Sequence, residues 1–288
     1  MPQKLTVILS EKKSPKRAED SLCEALAAQL ADRSEIHLCL TPSLYDLPAE
    51  GAIALRLAKI QRPLIVLGWL HPRAMFWTLA AHGVAGQMGQ EEAGSGKQAA
   101  ARMIWCIDLR GQSSSAVMRR IDAIAADVAP SVRAGRTTAP MRWTDEDQES
   151  RRWYPVVDHE RCRNCLECLN FCLFGVYGLD ENEQLFVEQP DACRDGCPAC
   201  ARVCPAKAII FPMVDDVAIA GGNAEEAEGA PQTTRNTPRQ AEAERNKALG
   251  DKQAGKEKRK AARPVKHRSD AASKKLDGLV DDLEGLDL

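Results

Sequence analysis

The sequence predicts an α/β chain: a small parallel sheet with helices on both faces, followed by a compact cysteine-rich α+β module and a disordered C-terminal tail. Three observations carry this expectation. Over residues 1–130 the apolar runs LTVIL, EIHLCL, PLIVLGWL and MIWCIDL alternate with segments of helical period. Residues 162–204 hold eight of the chain's eleven cysteines. Beyond Val217 the composition turns to Gly, Ala, Pro, Gln and charge, with almost nothing to bury.

Within the first region the pattern reads β-α-β-α-β-α-β-α. Between Lys16 and Arg33, the residues Leu22, Cys23, Leu26, Ala27 and Leu30 recur at three- and four-residue intervals, so one helical face packs on a sheet while Glu19, Glu24 and Asp32 stay in water. A second amphipathic helix is expected over Ser113–Val128, with Ser113, Ser114 or Ser115 able to cap its start. Leu64–Leu67 is apolar on consecutive residues, as a strand covered on both faces requires. Cys23, Cys39 and Cys106 lie inside apolar runs and are read as core. Trp69, Trp77 and Trp105 are read as space-filling residues.

In an open sheet of this kind, ligands sit beyond the carboxyl ends of the strands, which points to Ser10–Ser14, Gly68–His71 and Asp108–Ser115. None carries a diagnostic motif. AGSGKQ, around Lys97, fails as a phosphate loop because Glu91 stands where the first glycine is needed and Gln98 where Ser or Thr is needed. The turn after the first strand lacks the glycine of a flavodoxin-type flavin mononucleotide site. His71 and His82 flank a helix, but with no partner carboxylate in view they read as packing or surface residues rather than an acid–base pair.

The two cysteine runs carry the chemistry. Cys162, Cys165, Cys168 and Cys172 read CxxCxxCxxxC, and Cys193, Cys197, Cys200 and Cys204 read CxxxCxxCxxxCP. Thiolates at this density are the ligand pattern of two [4Fe–4S] clusters. Each cubane needs four thiolates at the corners of a cage, and a short loop aims three of them at one cage while the fourth comes from elsewhere. Structural zinc usually pairs two CxxC-type knuckles across a longer stretch. Disulfides require an oxidising compartment. The double run favours iron–sulfur over both alternatives.

Together with the repeated halves VVDHERCRNC–FGVYGLDENEQLFV and VEQPDACRDGC–CPAKAIIF, these runs give residues 153–212 a resemblance to the bacterial-type two-[4Fe–4S] ferredoxin domain. The resemblance implies crossed ligation. One cluster would be held by Cys162, Cys165, Cys168 and Cys204, and the other by Cys193, Cys197, Cys200 and Cys172. It also implies the family's pseudo-symmetric fold, each half a short strand, a cluster loop, a helical turn and a return strand. Two departures stand out. Leu173 follows Cys172 where the family has proline, and the Cys193–Cys197 spacing holds one extra residue, which Gly196 lets the backbone absorb. Leu166, Phe171, Phe174, Val176, Val203 and Ile209 are the side chains expected to keep water off the cages.

These readings divide the chain into an α/β domain over 1–130 of unknown ligand, a connector over 131–152, a two-cluster ferredoxin domain over 153–217 and a charged tail over 218–288. The connector, with its TDEDQES stretch, reads as a tether in which Trp143 and Trp153 dock the domains together. The tail is basic and then acidic: residues 251–275 carry ten Lys or Arg against three Asp or Glu, and 276–288 carry five acids and no base. LDGLVDDLEGLDL has helical spacing of Leu276, Leu279, Val280, Leu283 and Leu286, a candidate contact for a macromolecular partner. A frayed end is favoured, because short isolated helices are marginal in water.

The net charge of −2 gives no general attraction to nucleic acid or membrane. No apolar run reaches the length of a bilayer span, and Leu5–Leu9 is too short for a signal segment. A cytoplasmic location is therefore expected, where thiols stay reduced. The expected function is iron–sulfur electron transport, with the α/β domain recognising a redox partner protein or a ligand. The alternatives are a ferredoxin-fused oxidoreductase subunit, whose α/β domain binds substrate or flavin, and an adaptor with structural clusters. The expectation leans to an electron carrier or oxidoreductase component over a stand-alone enzyme, and catalytic residues stay unassigned.

Overall fold

The computed structural model describes residues 5–12, 17–48, 51–89, 102–128, 139–144 and 151–222. Met1–Ala230 form one compact unit. The loop around Lys97 and the charged tail beyond residue 222 lie outside the described residues.

Six parallel strands make the main sheet: β1 (Leu5–Ser10), β2 (Ile36–Thr41), β3 (Leu64–Gly68), β4 (Gln87–Met88), β5 (Met103–Asp108) and β6 (Met141–Arg142), in the order β4-β5-β3-β1-β2-β6. Alternation along β1 shows why apolar residues occupy consecutive positions. Leu5, Val7 and Leu9 enter one core while Ile8 enters the other, so both faces are dry.

Helices α1 (Arg17–Ala31) and α4 (Ser114–Val128) cover the first face with Leu26, Leu30, Val117, Ile121 and Ile124. On the second face, α2 (Ala52–Ala58) and α3 (Pro72–Ala81) bring Ile53, Leu57, Met75, Phe76 and Leu79. Both long helices fall where hydrophobic spacing puts them. Ser113 caps α4, its hydroxyl accepting the Ala116 N–H at 3.3 Å. Cys23, Cys39 and Cys106 are buried, and burial pushes the thiols of Cys23 and Cys39 up to about 11.

The connector departs from the tether expected of it. Met141–Arg142 adds a sixth strand beside β2, and Trp143 sinks into the second core beneath α2, with the Arg56 guanidinium 5.9 Å from its ring centre. Trp153 belongs to the cysteine module, stacked on Phe211 with its N–H donating to the Cys197 carbonyl at 3.3 Å. Neither tryptophan bridges the two regions. A two-residue edge strand has too little period to be read from sequence.

The cysteine module is built from β7 (Val156–Val157), α5 (Glu167–Phe171), β8 (Tyr177–Leu179), β9 (Leu185–Val187), α6 (Ala199–Val203) and β10 (Ile209–Ile210). Antiparallel β7–β10 and β8–β9 pairs close it. Folded chain continues past Val217: the Phe211 N–H donates to the Ile219 carbonyl at 2.9 Å and Ala220 is buried.

Module and sheet share a buried seam formed by Tyr45, Ala74, Tyr154, Val156 and Ile210. Tyr45, in a 3-10 turn after β2, donates its hydroxyl proton to the Tyr154 carbonyl and accepts the Tyr154 N–H at 2.8 Å, the two rings stacked 4.4 Å apart. Arg73, in the first turn of α3, donates through Nε to Asp158 Oδ2 at 2.5 Å and through Nη2 to the Lys207 carbonyl at 2.7 Å. Both partners of the Arg73–Asp158 pair are buried. Arg152 spans the seam's edge, from the Leu47 carbonyl at 2.6 Å to Asp191 at 2.8 Å.

Candidate metal centre

Each cysteine run is positioned by a loop that feeds a one-turn helix, and the geometry repeats. Cys172 and Cys204 occupy the C-caps of α5 and α6 with nearly equal backbone angles, φ −75°, ψ 113° and φ −67°, ψ 111°. Their N–H groups donate to the carbonyls of Cys168 and Cys200 at 3.0 and 3.2 Å. The last cysteine of each run thus takes an equivalent backbone position.

The first loop winds through left-handed backbone at Asn164 and Leu166, φ 52° and 61°. The Asn164 side chain anchors it to the β8–β9 hairpin, donating to the Glu183 carbonyl at 2.8 Å and accepting the Leu185 N–H at 2.9 Å. In the second loop the extra residue is taken up by a turn closed by the Cys197 N–H on the Arg194 carbonyl at 3.1 Å, with Gly196 at φ 72°. A Cβ at Gly196 would meet nothing within 4 Å, so it is the backbone angle, not space, that favours glycine here.

The fold sets the last cysteine of the second run beside the first run. Cys162, Cys165, Cys168 and Cys204 line one small cavity, walled by Leu166, Leu185, Ala208 and Ile209. Burial, with Cys200, Cys197, Cys172 and Asp195 close enough to add to it, disfavours ionisation of Cys193. Burial, first, pushes the thiols of Cys168 and Cys193 up to about 12 and that of Cys200 to about 11, the neighbouring sulfurs adding to the effect. Among the described residues no three His, Cys, Asp or Glu side chains converge as a single-ion site.

Two hydrogen bonds already address sulfur. The Ala208 N–H donates to Cys204 Sγ at 3.3 Å, and the Tyr177 hydroxyl donates to Cys200 Sγ at 3.1 Å. Tyr177 is buried, and burial raises its own hydroxyl pKa.

The expected water shield is only half met. Val176 and Ile209 are 1% and 2% exposed, but Phe171, Phe174 and Val203 are 48%, 42% and 38% exposed, and Leu173, in the place of the family's proline, is 91% exposed. Phe171 and Val203 are the last residues of the one-turn helices α5 and α6, and Phe174 lies in the turn before β8, where so thin a core does not cover them. Tyr177, Leu185, Ala201 and Phe211 fill it instead.

The histidines part company. His82 is buried at the end of α3 against the Leu44 carbonyl, 3.3 Å from Nε2, and burial lowers its pKa to about 4. His71 begins α3 at the wall of a separate cavity beyond the ends of β1 and β3. Trp69 packs against the first core and lines that cavity as well. Tyr45, Arg73, Tyr154 and Asp158 carry no local signal in the sequence, because their partners lie 85 to 109 residues away.

No protein-family model matches the chain. Over 61 residues it is 46% identical to an uncharacterized ferredoxin of Methanocaldococcus jannaschii, covering 21% of this chain and 41% of that protein. Over 59 residues it is 37% identical to the pyruvate synthase subunit PorD of the same organism, covering 20% of this chain and 66% of that subunit. The chain thus spans less than two thirds of either relative's length. These likenesses indicate a ferredoxin-type domain over about a fifth of the chain and iron–sulfur electron transfer at the level of the family. No described helix is long and apolar enough to cross a membrane.

Proposed function

We propose that this protein is an electron-transfer protein carrying two [4Fe–4S] clusters, with the α/β region recognising a redox partner or a ligand. One cluster is assigned to Cys162, Cys165, Cys168 and Cys204, the other to Cys193, Cys197, Cys200 and Cys172. The observation that supports this most strongly is the crossed grouping of the thiols, in which Cys204 shares a cavity with the first run rather than its own. When bound, each cluster supplies a reversible one-electron couple.

The protein's own residues set the conditions for that couple. Ala208 N–H and Tyr177 O–H stabilise charge on sulfur, which favours the reduced state. Val176, Leu185 and Ile209 keep the inner side dry, while exposed Phe171, Leu173 and Phe174 beside Cys172 leave an apolar outer edge. That edge suits docking of a redox partner. The likeness to a subunit of pyruvate synthase supports an oxidoreductase as that partner. Thiols that must remain reduced fit the cytoplasm. A reading as an oxidoreductase subunit gains support from the cavity beyond β1 and β3.

Anaerobic purification with iron and sulfide analysis tests the proposal. About eight irons and eight sulfides per chain are expected, with two couples in a spectroscopic redox titration. Cys204→Ala should damage the cluster whose remaining ligands are Cys162, Cys165 and Cys168. Zinc without inorganic sulfide, or damage confined to the Cys193–Cys200 cluster, would refute it.

A further inference from the structure

Between β1 and β3 the chain changes direction across the sheet: β1 leads to β2 on one side and β3 to β5 on the other, and the following helices α1 and α3 take opposite faces. Open parallel sheets present their ligand crevice at such a switch point. Here it opens on a cavity of about 540 Å³, well inside the range of small-molecule sites, about 300–1,000 Å³. Gly68 keeps the floor open: a Cβ there would lie 2.8 Å from Met75 Sδ. The wall facing the sheet comes from residues 212–220, which follow the last strand of the cysteine module. Neither region forms the cavity alone.

We propose that this cavity binds an uncharged heteroaromatic ring system of flavin-nucleus size that carries no phosphate. The inference deepens the ligand-recognition half of the function proposed above and rests on it. Beside aliphatic residues such as Leu44 and Leu70, the apolar wall holds Trp69, Met75, Met213, Pro42 and Pro212, an indole, two thioethers and two pyrrolidine rings, groups that make favourable contacts with aromatic faces and edges.

Phosphate is disfavoured on three counts. Among the described residues, the first backbone donor beyond β1 is already spent, because the Glu11 N–H donates to the Thr41 carbonyl at 2.8 Å. Ser10 is engaged too, accepting the Leu44 N–H at 3.1 Å and donating to the Pro42 carbonyl at 3.2 Å. The charges of the wall balance, with Glu11, Asp46 and Asp215 against Lys12, Arg110 and Arg151. Lys12 and Arg110 are moreover paired with Glu19 at 3.5 Å and with Asp108 at 2.9 Å. Among the described residues, a dianion would find acids at the mouth and no cluster of uncommitted cations.

The test titrates the anaerobically purified full chain with lumiflavin and with flavin mononucleotide, which share a ring and differ in the ribityl phosphate, following quenching of the flavin's fluorescence. Lumiflavin should bind saturably, and flavin mononucleotide at least about tenfold more weakly. Val217→Trp, which fills the cavity from its half-exposed rim, should abolish lumiflavin binding with circular dichroism unchanged. Asp215→Arg should narrow the gap between the two ligands. Absence of saturation by lumiflavin, equal or tighter binding of the phosphate form, or full binding by a folded Val217→Trp protein would overturn the inference. Iron and sulfide on the same samples separate the two proposals: eight irons without ring binding removes the cavity assignment alone, and ring binding without iron removes the cluster assignment alone.

Discussion

In the sheet, β1 buries all six of its residues and β3 all five, and two aliphatic cores flank them. In the cysteine module no strand exceeds three residues, no helix exceeds five, and the core counts six of the expected cluster thiols among its buried or partly buried members. The sheet region thus has the apolar area to hold itself together, at roughly 25 cal/mol for each Å² buried. On the proposed assignment, the module has replaced aliphatic core with thiol ligands, and its stability rests on what those thiols bind and on the seam with the sheet, a division familiar from small metal-dependent domains.

That contrast can be broken most decisively by removing the clusters. Chelation under reducing conditions should collapse amide-exchange protection in α5, α6 and β7–β10 while leaving β1, β3 and β5 protected. Equal loss in both regions, or none in either, would show that the two do not differ in this way. Next in size is the seam. Arg73→Met strips the close guanidinium from buried Asp158, leaving it Arg161 at 3.5 Å and the N–H groups of Glu160 and Arg161, and should cost about 1.5–3 kcal/mol in denaturant unfolding, with the β7–β10 pair exchanging first. A loss under about 1 kcal/mol would mean the pair is solvated in practice.

A pH-dependent component of comparable or smaller size belongs to the sheet region. Because burial holds His82 at about 4 in the folded protein against 6.5 for the free side chain, the unfolded chain takes up the proton first as pH falls. Stability from this group is therefore complete above about pH 7 and is lost as pH falls toward 4, up to about 3 kcal/mol. His82→Gln should flatten that part of the stability–pH curve relative to the parent protein. An unchanged slope would place the titration elsewhere. The smallest effect is expected at Tyr45→Phe, which strips one hydroxyl from the Tyr154 backbone N–H and carbonyl but keeps the stacked ring. It should cost about 1–3 kcal/mol.

How much of this could be read in advance follows the range of the interactions. Helices α1 and α4 and strands β1, β2, β3 and β5 announce themselves through periodicity, a local property of neighbouring residues. Strands β4 and β6 have two residues each and no period to detect. The connector hid a strand and a core tryptophan for that reason. In the candidate centre, spacing within each run is local and legible, as is the tolerance of Gly196 for the extra residue. Phe171, Phe174 and Val203 were expected inside because they are apolar, but a core this thin cannot bury both sides of its short elements.

By itself the amino-acid order determined the class of chemistry and the class of fold, because thiol spacing and hydrophobic period act over a handful of residues. Tertiary structure alone decided that Tyr45 and Arg73 lock the sheet to the module, and that residues 212–220 close a cavity over the ends of β1 and β3. Each of these joins groups far apart along the chain, and such partners meet only through the packing of everything between them.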